Sequence, residues 1–277
     1  MRIASILKSA LFAAAATVVG SSAALAGPLG IALPNNFYFD TTQSYETLVD
    51  PANNKLTLDG VFTVGTISSV QNGIPVYTYG AGGRFLMGEF GGFTLDLANS
   101  GPVPMTNLTV LNFTGGHINY YVHSTDTFNV NSGTVAGDIS SVTTGGSLFL
   151  SAIPQARNAA GDTLTIILNG DPTDFSGSAA FADLDVTATG PGGAADPMYP
   201  FLNSDAFIGF GGDPYDLKFQ GGANLASNSI FPCGNDFGVC GSNFVKGVLI
   251  PEPITLSVFG VGLAGAASFR RRKAKKA

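Results

Sequence analysis

Tryptophan is absent from this 277-residue chain, histidine and cysteine occur twice each, and only 12% of residues are charged. Each scarcity excludes something. Two histidines and two cysteines cannot supply the roughly four N/S ligands of a structural zinc site together with any second use of those groups. His117 and His123 are six residues apart, about 20 Å along a straight strand, so they cannot grip one ion together. No Gly-x-Ser-x-Gly elbow, His-Glu-x-x-His pair or phosphate-binding loop occurs. Without tryptophan, Tyr77, Tyr79, Tyr120 and Tyr121 are the remaining sugar-stacking candidates, and strand packing is their default use. Apolar runs with helical period are also missing between Gly27 and Ile250.

Basic residues are scarce in the middle of the chain. Between Gly27 and Ile250 there are five (Lys55, Arg84, Arg157, Lys218, Lys246) against 18 acidic residues, a formal charge of −13. Such a surface repels nucleic acid, which needs cations for its phosphates. It suits a soluble body in a divalent-rich extracellular setting.

The two ends differ from this middle. Met1 to Ala26 has a charged start (Arg2, Lys8), an apolar run from Ala10 to Val19, and the small-x-small sequence Ala24-Leu25-Ala26 before Gly27. That order is a secretory signal peptide, with cleavage expected between Ala26 and Gly27. At the other end, Pro251-Glu252-Pro253 precedes sixteen uncharged residues, Ile254 to Phe269, and then Arg270-Arg271-Arg272-Lys273-Ala274-Lys275-Lys276. As a helix the uncharged run would span about 24 Å. This is short of the ~30 Å hydrocarbon core, within reach of a bilayer that thins locally. The basic cluster keeps the C-terminus inside and the preceding chain outside. The two prolines exclude helix and ladder pairing around Glu252, leaving an extended segment that a peptidase can grip.

The order Pro251, Glu252, Pro253, then Leu256, Gly260, Gly262, Leu263 and Gly265, then Arg270, Arg271 and Arg272 resembles the PEP-CTERM sorting signal of Gram-negative bacteria. The resemblance implies export, a transient inner-membrane anchor, recognition by an exosortase, and onward transfer to the cell surface or extracellular matrix, in association with extracellular polysaccharide and biofilm. It covers about a tenth of the chain and specifies a destination, not an activity.

Three segments are therefore expected: a signal peptide over 1–26, an ectodomain over 27–250, and a sorting signal over 251–277 with a transmembrane helix at about 254–269. The ectodomain reads as all-β. Phe93, Leu95 and Leu97 alternate with polar residues, as do Leu164, Ile166 and Leu168, and Ala182, Leu184, Val186 and Ala188. Turn signals separate such runs: Asn53-Asn54, Asp59-Gly60, Asn72-Gly73, Gly115-Gly116, Gly145-Gly146, Asn169-Gly170 and Gly211-Gly212. Further strands are expected at 36–40, 55–67, 76–88, 105–113, 118–122, 147–153, 206–210, 217–220 and 243–250. About a dozen short strands predict an antiparallel β-sandwich, jelly-roll-like.

Cys233 and Cys240 enclose a six-residue glycine-containing loop, and in an oxidising compartment they predict a disulfide. Gly170-Asp171-Pro172-Thr173-Asp174 echoes Gly212-Asp213-Pro214-Tyr215-Asp216, which reads as two Asp-Pro turns. Asp171, Asp174, Asp213 and Asp216 are the weak alternative for a Ca²⁺ site. Asp183 and Asp185 share a strand face, where the expected role is solvation and the alternative is a glycosidase pair. No cofactor and no catalytic residue is expected. The expected function is a non-enzymatic surface or matrix protein; the alternatives are a secreted carbohydrate-active enzyme and a Ca²⁺- or glycan-binding module carrying the same tail.

Overall fold

The computed structural model describes residues 27–47, 56–130, 132, 134–169, 179–209, 212–225 and 239–248. The strands are β1 (Asn36–Glu46), β2 (Thr57–Ser69), β3 (Pro75–Thr78), β4 (Phe85–Leu95), β5 (Gly101–Pro102), β6 (Leu108–His123), β7 (Ser147–Pro154), β8 (Asp162–Asn169), β9 (Ala179–Val186), β10 (Phe207–Ile208), β11 (Pro214–Tyr215), β12 (Leu217–Leu225) and β13 (Val239–Val248). Two helices accompany them, α1 (Val135–Thr143) and α2 (Tyr199–Leu202).

The fold is mostly β, as expected, but the two-sheet sandwich is not what the hydrogen bonds build. Apart from the small β10–β11 hairpin, every described strand belongs to one antiparallel sheet, ordered β1-β13-β12-β9-β7-β6-β4-β2-β3. The sheet closes on itself because β1 pairs with β13 along one side and with β2 along the other. β8 follows β7 in the same slot between β6 and β9, pairing with the first half of β6 and the first half of β9. Closure leaves the ring's strands without open edges, the commonest hazard of a long antiparallel sheet.

Period two decides which side chains fill the ring. Phe37 and Phe39 of β1, Phe62 of β2, Phe90 and Phe93 of β4, Phe113 and Tyr120 of β6, and Phe149 of β7 are buried together. Tyr120 sits 5.1 Å from Phe62 and 5.4 Å from Phe39 between ring centroids. Leu164, Ile166 and Leu168 point inward, as do Ala182, Leu184 and Val186, matching the alternation in the sequence. Leu97 does not; it lies beyond β4 and is exposed.

Glycine and phenylalanine are the two sides of one packing device. Gly60 stands opposite Phe90 in the β2–β4 ladder, and Phe62 stands opposite Gly88. A Cβ on Gly60 would lie 2.3 Å from Phe90 Cζ, and one on Gly88 would lie 2.0 Å from Phe62 Cζ. Each ring lies over the bare backbone across from it. Phe37 covers Gly247 in the same way, and Phe93 covers Gly116. Asp59-Gly60 is thus mid-strand rather than a turn.

Gly115-Gly116 is not a turn either. β6 runs through it without a break, and the strand expected at 76–88 is instead divided into β3 and β4. Gly92, Gly115 and Gly116 have φ of 72°, 70° and 98°, a left-handed region that suits only glycine. Against β2 the strand carries an extra residue here: Gly91 and Gly92 lie between the pairs Gly60↔Phe90 and Leu58↔Phe93, opposite Asp59 alone. This bulge switches the inward parity of β4 from Leu86 and Phe90 to Phe93 and Leu95, and such bulges help a long sheet coil into a barrel.

Helix α1 has no counterpart among the expected elements. Thr134 caps it, accepting from Gly137 N–H at 3.0 Å. Val135, Ile139 and Val142, spaced i, i+4, i+7, pack on the outside of the ring against Tyr45, Val61, Met87 and Tyr121. Nine residues rich in β-branched, serine and glycine positions carry too weak a helical period to stand out in the sequence.

The register places the start of β1 and the end of β13 side by side, Asn36 opposite Val248. Ser69, Phe85, His123, Ser147 and Leu217 belong to this same end of the barrel. Glu46, Thr57 and Leu95 belong to the opposite end.

Candidate functional site

The sorting residues Pro251, Glu252, Pro253, Arg270, Arg271 and Arg272, the expected transmembrane helix, and the cleavage residues Ala24 and Ala26 lie outside the described residues. Gly27 begins a 3₁₀ turn, Gly27–Leu29. Among the described residues, no helix is long and apolar enough to cross a membrane. Cys233 lies outside the described residues, as do Asp171 and Asp174; Cys240 is described only as backbone in β13, opposite Tyr45 and Asn224.

Polar chemistry on the barrel gathers in two places. The first is a chain across the outer face of β4, β6 and β7. Glu89 is buried and takes Asn119 Nδ2–H on one oxygen at 2.5 Å and His117 Nε2 on the other at 3.1 Å. Asn119 Oδ1 accepts from Ser151 Oγ–H at 2.7 Å, and Ser151 N–H donates to Asp196 at 2.7 Å. Ser151 therefore gives its proton to an amide, not to an imidazole, and this chain does not build an activated nucleophile. His117, hydrogen-bonded to Glu89, has a raised pKa; partial burial opposes the shift, and the charges of Glu89 and Asp59 add to it.

A raised histidine pKa contributes stability that is complete below the unfolded value of about 6.5 and is lost as pH climbs through the folded one. His117→Gln keeps an amide donor for Glu89 and removes the charge. Its melting temperature should lie furthest below that of the parent in mildly acidic solution and should converge on it as the pH becomes alkaline. A gap independent of pH would remove the His117–Glu89 ion pair from the stability of the fold.

His123 does not share this half-exposed setting. It is buried beneath α1, with Nε2 2.7 Å from the Val142 carbonyl and Nδ1 3.2 Å from Thr127 Oγ1. Gly146 makes room for it, since a Cβ there would lie 2.4 Å from Nε2.

The second place is a groove of about 480 Å³ on the outside of β8, β9 and β12, walled by the β10–β11 hairpin. Arg157, Asp183, Tyr215, Phe181, Ile208 and Lys218 line it. Asp183 is not the solvated strand acid expected from the alternation. It is buried, 3.6 Å from Arg157 Nε, and hydrogen-bonded to the Tyr215 hydroxyl. Arg157 Nη1 donates to the Phe181 carbonyl at 2.9 Å. Burial, with Asp183 adding to it, pushes the Tyr215 hydroxyl up to about 12. Asp185 lies two residues on and accepts from Gln155 Nε2–H at 2.6 Å; burial raises its pKa. The two carboxylates are thus held by different partners.

Of the calcium candidates, Asp213 is exposed and Asp216 is buried. Asp216 Oδ1 accepts from Ser204 N–H at 2.5 Å and Asp205 N–H at 2.8 Å, while Oδ2 accepts from Val186 N–H at 2.9 Å. These bonds pin the segment before β10 against the end of β9. Among the described residues, no three of His, Cys, Asp or Glu gather where they could hold a metal ion. The sequence repeat gives no sign that Asp216 serves backbone N–H groups, because its partners lie 11, 12 and 30 residues away.

Residues 249–273 match the PEP-CTERM protein-sorting motif. No curated protein and no solved structure matches the chain.

Proposed function

We propose that this chain, whose tail marks an exported protein processed by an exosortase at the membrane, is a non-enzymatic component of the cell surface or extracellular matrix. The observation that carries the reading is the sorting motif beginning at residue 249, directly after the last barrel strand ends at Val248. The barrel is the cargo and the tail is the address. What supports a non-enzymatic role is the use of the polar groups. Four of the buried acids, Glu89, Asp183, Asp196 and Asp216, hold backbone or side-chain donors within the fold. The strongly acidic surface between residues 27 and 250 suits a hydrated polysaccharide layer outside a Gram-negative cell.

The groove at Arg157, Asp183 and Tyr215 favours a second reading, a ligand- or glycan-binding module. Both readings share one delivery route. Cells carrying the intact protein should show it beyond the inner membrane and shortened at the C-terminus. Cells carrying Glu252→Ala should hold it at full tail length in the inner-membrane fraction, since an extended Pro-Glu-Pro segment is what a peptidase would grip. If fractionation and mass measurement find both forms in one compartment at one size, delivery by this tail fails.

A further inference from the structure

The chain leaves the barrel beside a group of exposed apolar side chains. Val248 ends β13 opposite Asn36, and the Asn36 carbonyl accepts from Val70 N–H at 3.0 Å. Val70 opens the β2–β3 turn, so the hairpin tip stands next to the exit point. Three of its side chains are apolar and open to solvent, Val70 at 39% exposed, Ile74 at 59% and Val76 at 37%, beside the exposed Gln71 and Asn72 at the turn. The turn itself is fixed, with Gly73 N–H bonded to the Ser69 carbonyl and Ile74 N–H bonded to Asn72 Oδ1.

The chain segments of this region carry no charge of their own, although Arg84 lies beside Gly30 and Asp126 accepts from the Tyr79 hydroxyl at 2.8 Å. Residues 60–83 contain no Asp, Glu, Lys, Arg or His, and neither do residues 27–39, which pair with the end of β2. In a body with a formal charge of −13, this is the sector that an anionic surface repels least. On another side of the same end, the segment around β10 and β11 carries Asp205 and Asp213, both exposed.

The tether limits the orientation. Ile254, the first residue of the uncharged run, follows Val248 by six residues, at most about 20 Å of extended chain. The ten-residue strand β13 is itself about 33 Å long. A barrel turned with its opposite end toward the bilayer would need more chain than the tail provides.

We propose that, in the tail-bearing precursor, the barrel stands on the outer face of the bilayer with the β2–β3 tip (Val70, Ile74 and Val76) seated in the lipid interface. The proposal rests on the membrane anchoring assigned to the tail above. It gives the exposed tip a ligand, the interfacial region of a phospholipid bilayer, and leaves the acidic side of the same end tilted away. Removal of the tail would then release the tip along with the anchor.

The absence of tryptophan supplies the test. Three full-length, single-tryptophan variants, Ile74→Trp, Leu97→Trp and Phe259→Trp, are reconstituted in phosphatidylethanolamine–phosphatidylglycerol vesicles with and without brominated lipid. Leu97 is 56% exposed at the opposite end of the barrel and controls for the intrinsic interfacial preference of tryptophan. The expected result is blue-shifted emission and loss of most fluorescence to brominated lipid at positions 74 and 259, with neither at 97. Quenching at 259 but not at 74 overturns the seated tip and leaves the anchor standing. Equal quenching at 74 and 97 also overturns it. No quenching at 259 defeats the anchor, and the inference with it. A blue shift at 74 that needs no lipid and grows with protein concentration assigns the tip to a second copy of the chain and overturns the proposal.

Discussion

Gly60→Ala should destabilise the barrel by about 3 kcal/mol, at or beyond the upper end of ordinary overpacking. The new methyl would lie 2.3 Å from Phe90 Cζ and 2.4 Å from the Tyr45 carbonyl oxygen. The ring could swing aside; the carbonyl could not, because Tyr45 lies in the β1–β2 ladder opposite Val61. Gly88→Ala tests the other half of the device. Its nearest obstacle is the Phe62 ring at 2.0 Å, and every nearest atom belongs to that side chain. Phe62→Leu should therefore recover much of the loss from Gly88→Ala, whereas Phe90→Leu should recover little of the loss from Gly60→Ala. Urea denaturation of the singles and doubles reads this as a coupling energy. Equal coupling in the two cycles would mean that the backbone at Tyr45 yields as easily as a ring, and the closed register of β1 would lose its support.

The other large effect is expected at Asp216. Asp216→Asn keeps the shape and replaces one carboxylate oxygen by an amide that donates toward an N–H group. Either Val186 N–H, or both Ser204 and Asp205 N–H, loses its acceptor in a buried or half-buried setting, depending on which oxygen becomes the amide. At about 1–3 kcal/mol for each unsatisfied group, a loss of about 2–4 kcal/mol is expected after partial rehydration. Asp205 adds to it, since its backbone is held at φ 48°, an uncommon value for a residue other than glycine. The melting temperature should fall equally with and without calcium. A fall that appears only when calcium is present would return Asp216 to the role of a metal ligand. A change within about 0.5 kcal/mol would show that water replaces the carboxylate, as at an ordinary surface site.

Some of the fold is legible in the order of residues. The strand parity of Leu164, Ile166 and Leu168 follows from period two, because the sheet has an apolar inside and β8 is short and regular. The Asn72-Gly73 turn is equally local: Gly73 has φ 67° and closes a hairpin between neighbouring strands. The candidate groove is half legible. Asp183 is visible as a carboxylate on the outer side of β9. Its burial is not, because the cover comes from Arg157 and Tyr215, residues 26 and 32 positions away in sequence. The burial of His123 is hidden for the same reason, since the helix above it begins twelve residues later.

The address needs nothing beyond neighbouring residues: an apolar run tipped with arginines behind Pro251-Glu252-Pro253 is recognisable from their order. That the body is built of strands is set just as locally, since alternation and turn residues act over a few positions. Three-dimensional packing was required to join β1 to both β13 and β2 and so close the ring. It also made Gly60 a seat for a ring instead of a turn, set Gly88 beneath Phe62, and spent Asp216 on backbone N–H groups. The division arises because period two assigns each residue a face but names no partner. Partners are chosen by contacts between strands far apart in the chain, where one ring needs one bare backbone opposite it.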